Sequence, residues 1–104
     1  MVNPMRGEVE ILLDGRPHVA RLTLGALAEL EEALGSDSLL AVVGRFEGGS
    51  FTTRDVLAVL LAGLRGAGWQ GAADELMSAE FGGGPMGAAR AAAELLARAF
   101  RLEP

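Results

Sequence analysis

The run Val9-Glu10-Ile11-Leu12-Leu13, closed by Asp14-Gly15, constrains the fold of this chain more than any other feature. Val9, Ile11 and Leu13 fall on one side of an extended backbone, and Glu8 and Glu10 fall on the other. That period of two marks a half-buried strand. Asp-Gly favours a two-residue hairpin turn, because both central positions take positive φ. Residues 16–22 therefore return as a second strand, which sets Glu8 opposite Arg21 as a favourable cross-strand pair. Pro17 has no backbone N–H, so its side of the return strand belongs at an edge. Two strands alone are only marginally stable in water. The apolar face of this hairpin must lie on the rest of the chain, or its edge must gain a strand from another molecule.

The rest of the chain reads as helix. Thr23 is an N-cap, and Gly35 ends the helix that follows. Leu27, Leu30 and Leu34 form its inner stripe, with Ala26 and Ala33 allowing close approach. Ser36-Asp37-Ser38 caps a second helix reaching about Phe46, whose apolar set is Leu39, Leu40, Val43 and Phe46. Thr52 with Asp55 three residues on resembles a capping box, and starts a helix over 53–65. That helix is apolar nearly all round from Val56 to Leu64, which places it at the centre. A weaker helix follows around 72–80, with Leu76 and Met77 inside. Gly82-Gly83-Gly84 is the clearest break and reads as a hinge or linker; Pro85 suits the first turn of a last helix over 86–100. The expected fold class is α+β: an N-terminal hairpin (7–22), then four to five helices (23–100), in one domain of 104 residues. Residues 1–5 are expected to be flexible and 101–104 to fray.

Composition excludes several functions. The formal net charge is −5 and no arginine cluster occurs, which argues against nucleic acid and anionic membrane surfaces as partners. The apolar run Val56–Leu64 covers about half of the ~20 residues that a membrane-spanning helix needs. Cysteine is absent, which removes disulfides and thiolate metal sites. The opening residues lack an apolar segment, so no signal peptide is expected and the cytoplasm is the default location. All nine basic residues are arginine, which leaves no lysine for Schiff-base chemistry.

No catalytic, cofactor-binding or metal-binding residues are assigned. The single histidine, His18, has no nucleophile and orienting acid in any recognisable pattern. Asp74, Glu75 and Glu80 lack the spacing of a calcium loop. Gly82-Gly83-Gly84 lacks the Gly-Lys-Ser/Thr ending of a phosphate loop. Two features point to protein partners. Glu29, Glu31 and Glu32 are either the wet side of a helix or a negative patch for a basic partner. Trp69, after a glycine-rich break, either anchors an interface or tucks into its own core. The hairpin edge offers a route to a homo-oligomer.

The stretches Arg6-Gly7-Glu8-Val9-Glu10, Leu13-Asp14-Gly15-Arg16 and Leu22 to Glu31 resemble the start of gene transfer agent family proteins, encoded in phage-tail-like clusters of alphaproteobacteria. Arg45-Phe46, Arg54-Asp55-Val56, Ala62 to Gly66 and Glu94-Leu95-Leu96 continue the resemblance in order. It spans nearly the whole chain, and Leu22–Glu31 is its most specific part. The resemblance implies either a tail tube or a tail assembly chaperone role. With so few strands it favours the chaperone: a non-enzymatic assembly factor binding tape measure and tail tube proteins. The alternative is a structural component retained in the tail.

Overall fold

A computed structural model describes residues 2–100. The expected frayed tail, 101–104, lies outside them. After one 3-10 turn at Pro4–Arg6, capped by Asn3, the chain forms β1 (Val9–Leu13) and β2 (Arg16–Ala20). Five helices follow: α1 (Leu24–Leu34), α2 (Leu39–Gly48), α3 (Thr53–Gly66), α4 (Ala73–Ser78) and α5 (Gly84–Phe100). The α+β reading and the order of elements match the sequence. None of these helices is long and apolar enough to cross a membrane.

The strands are antiparallel, with Leu13 opposite Arg16 and Val9 opposite Ala20. Asp14 (φ 52°) and Gly15 (φ 80°) make the tight turn with two positive φ values. Val9, Ile11 and Leu13 are buried and the residues between them exposed, as the alternation required. In a ladder closed by this turn, Arg16, His18 and Ala20 turn their backbone groups toward β1, and Pro17 and Val19 turn theirs outward. Pro17 therefore costs no ladder bond. Glu8 takes a nearer partner than Arg21: its carboxylate accepts the Asn3 N–H at 2.7 Å.

Helix α3 lies at the centre and packs against α1, α5, α4 and β2. Val59, Leu60 and Leu64 on it are fully buried. The hairpin is fastened to it by the Arg21 N–H, which donates to the Gly63 carbonyl at 2.8 Å. One turn on, Gly66 leaves no room for a side chain: a Cβ there would sit 2.2 Å from the Arg21 carbonyl oxygen. Gly66→Ala must push the strand end off the helix. A net loss of about 1–2 kcal/mol is expected in urea unfolding, the overpacking cost less the helix-propensity gain. An unchanged midpoint would show that this contact is loose.

The caps fall where they were expected. Thr23 Oγ1 accepts from the Ala26 N–H, Ser38 Oγ from Ala41, and Thr52 Oγ1 from Asp55. Side-chain placement departs from the sequence in three helices. In α1 the expected stripe holds, with Leu30 buried and Leu27 and Leu34 packed against the core, but Ala33 is exposed. In α2 the buried pair is Val42 and Val43, and Leu40, about 200° round the helix from Val42, is 75% exposed. In α4 six residues turn only Leu76 inward, and Met77, expected inside, is 67% exposed.

The segment before α5 is no free hinge. Asp14 N–H donates to Glu80 O (2.8 Å), Glu80 N–H to Asp14 Oδ1 (2.9 Å), and Gly82 N–H to Leu12 O (3.0 Å). Phe81 thereby bridges to Leu13 as a fragment of a third strand on the outer edge of β1. The edge groups of β1 supply the partners that a glycine run by itself lacks. Of the hairpin's two edges, one is thus occupied near the turn, and the other carries Pro17.

Candidate functional site

A groove of about 720 Å³ lies between α3, α4 and the start of α5. Its floor comes from the helical spacing of α3: Thr53, Val56, Leu57 and Leu60 fall on one face at i, i+3, i+4 and i+7. Leu76 and Met77 of α4 form one wall with Ala79, Glu80 and Phe81, and Pro85, Met86 and Ala89 form the other. Phe51 closes one end. Met77 and Met86, both largely exposed, stand at the lips.

Two anchors hold these walls. The first is the bridge just described, which seats Glu80–Gly82 against β1. The second is an ion pair under the α2–α3 loop. Arg45 donates from Nε to Asp55 Oδ2 and from Nη2 to Asp55 Oδ1, both at 2.8 Å. Asp55 Oδ2 also accepts the Thr52 N–H at 3.0 Å, completing the capping box. The Asp55 side chain is 7% exposed, and Arg45, a quarter exposed, also reaches Asp37 at 3.4 Å. The hydrogen bonds from Arg45 hold the Asp55 carboxyl below the usual carboxylate range, against burial, which raises it; the Thr52 N–H and the Arg45 charge add to the lowering. Arg45 in turn is held more firmly protonated, chiefly by its hydrogen bond to Asp55. This fixed loop presents Phe51, whose ring stacks on Phe46 at 4.8 Å and 7°.

The groove lining is mostly apolar. Among the described residues, the polar ones in its lining are Thr53 and Glu80. General acid–base catalysis needs groups positioned around a reacting atom, and a small-ligand site needs several convergent polar groups. Among the described residues no group of three or more His, Asp or Glu could hold a metal ion. His18 sits on the hairpin with Nδ1 3.0 Å from the Arg16 carbonyl oxygen.

The residues singled out in the sequence lie elsewhere. Glu29, Glu31 and Glu32 are exposed on α1 and form no ion pair with any described residue. Glu29 and Glu32 are neighbours along the helix, and Glu31 is turned about 100° from Glu32. Trp69 is half-buried, with its backbone N–H donating to Leu64 O at 2.9 Å and its ring lying over Gly71. None of the four lines the groove. The sequence carried no signal for the groove walls: Leu76 and Met77 are adjacent, and the apolar period of one short helix does not say which of them faces inward.

A family model described as phage tail tube protein, GTA-gp10, matches residues 6–102. A search of curated proteins found no match, and a search of solved structures found none.

Proposed function

We propose that this chain, which belongs to the family of the phage tail tube protein, GTA-gp10, is a non-enzymatic structural component of a phage-like tail that stays in the assembled particle. The observation that carries this reading is the family match, which runs through every strand and helix of the domain. The surface supports it: an open apolar groove, methionine lips and a free hairpin edge suit protein contacts. The partners on this reading are neighbouring tail proteins, and assembly takes place in the bacterial cytoplasm. Contact between copies through the hairpin is left to β2, whose outward backbone offers the Val19 N–H but none at Pro17.

One observation favours a second reading, an assembly factor that binds tape measure or tube protein and then leaves. Among the described residues there is one two-stranded sheet and a single added bridge, which gives a closed ring of copies little strand to share. Quantitative mass spectrometry of purified particles separates the two. The structural reading expects this chain in fixed ratio to the other tail proteins. A chain required for tails yet absent from finished particles would establish the assembly factor instead.

A further inference from the structure

We infer that the groove between α3, α4 and α5 is a docking site for an amphipathic helix that carries basic residues beside its apolar ridge. The inference deepens the protein-contact reading above and names the kind of partner segment. Three observations carry it. The groove is open and apolar, and helices supply most of its walls, as in helix-in-groove recognition. Met77 and Met86 at its lips are unbranched and adaptable, and can follow the contour of an inserted ridge.

The third observation is charge. Glu80 is the one charged residue in the lining among the described residues. Its backbone is fixed on both sides by Asp14, and its carboxylate pairs with no described residue. The charges next to the walls in sequence, Asp74 and Glu75 against Arg54 and Arg90, balance one another. Glu80 therefore sets the sign of the site. A basic residue flanking an apolar ridge would meet it, and an acidic one would be repelled. The same argument disfavours a second copy as occupant, because the chain itself has net charge −5.

The test is a titration of the intact chain with an amphipathic Leu/Ala/Lys peptide of about 18 residues, long enough to be helical when bound. A matched peptide with Glu in place of Lys is the control. Binding is read by fluorescence anisotropy of labelled peptide and by amide NMR shifts. The expected result is saturable binding of the basic peptide, with shifts concentrated at Leu57, Leu76 and Ala89, and at least tenfold weaker binding of the acidic one. E80Q should weaken binding roughly two- to fivefold, the range for an exposed ion pair. The double variant M77Q/M86Q should weaken it roughly tenfold or more through lost apolar contact. Both variants change exposed side chains and should keep the parent circular dichroism.

Equal binding of the two peptides, shifts centred outside the groove, or no binding at all would overturn the proposal. So would concentration-dependent dimerisation in sedimentation that M77Q/M86Q abolishes, since a second copy would then be the occupant. None of these results alters what mass spectrometry finds in the particle, so failure here and failure of the structural reading remain distinguishable.

Discussion

Leu95→Ala is expected to lower the unfolding free energy by about 3–4 kcal/mol, inside the range of ~2–5 kcal/mol for emptying a leucine seat in a packed core. Leu95 is completely buried on α5. It faces α3 at Gly63, where an added Cβ would lie 2.7 Å from Leu95 Cδ1 and 3.4 Å from Ala20 Cβ. The leucine thus occupies the space that a glycine leaves in the central helix, beside Ala20 of the hairpin. The pairing makes a sharper prediction than the single variant. Gly63→Ala alone should cost about 1 kcal/mol, because the new methyl crowds Leu95. In the Leu95→Ala background the same change should recover about 1 kcal/mol, since the crowding atoms are gone and alanine is the better helix former. Urea unfolding of the four proteins gives the coupling energy directly. Simple additivity would show that Gly63 and Leu95 do not share this space.

Asp55→Ala is expected to cost about 2–3 kcal/mol. It removes the acceptor of the Thr52 N–H, worth about 1 kcal/mol, together with both hydrogen bonds to Arg45. The remainder is set below the full cost of breaking a buried pair, because Arg45 keeps contact with water and can turn to Asp37. Asp55→Asn, which keeps a cap acceptor but no charge, should fall between Ala and the parent.

The same carboxylate gives the fold a pH dependence of defined sign. Its folded pKa is lowered, so its contribution is complete above the unfolded value of about 3.9. It disappears as pH falls through the folded value. Arg45→Ala removes the largest cause of the lowering and leaves the burial that opposes it. The folded pKa should rise, and acid unfolding, followed by circular dichroism from pH 7 to 2, should begin at higher pH than in the parent. An onset that does not move would mean that Arg45 leaves the carboxyl unperturbed.

The Arg45–Asp55 pair shows how far the sequence could be read. Thr52 and Asp55 announce a capping box, because the whole device lies within four residues. Arg45 and Asp55 both stand in the stretches that resemble gene transfer agent proteins, yet no spacing rule joins residues ten apart across a loop. The groove is harder still. Its floor is legible as one face of α3, but its walls depend on where α4 and residues 79–81 come to rest. That position is set by bonds between Glu80 and Asp14, sixty-six residues away. Glycines 82–84 read as a break because a run of glycine carries no packing information. The partner that orders the segment before α5 is the edge of β1.

The sequence alone determined the local devices: the hairpin and its register, the helix caps at Thr23, Ser38 and Thr52, the central place of α3, and the family resemblance carried most specifically by Leu22 to Glu31. Each rests on residues a few positions apart, or on a periodicity within one element. Tertiary structure alone decided which apolar side chains stay outside. Leu40, Met77 and Met86 are exposed, and Glu80 stands beside a groove, because faces of elements distant in the chain meet or fail to meet. Periodicity within an element says that a face is apolar, and only the packing of the other elements says what covers it.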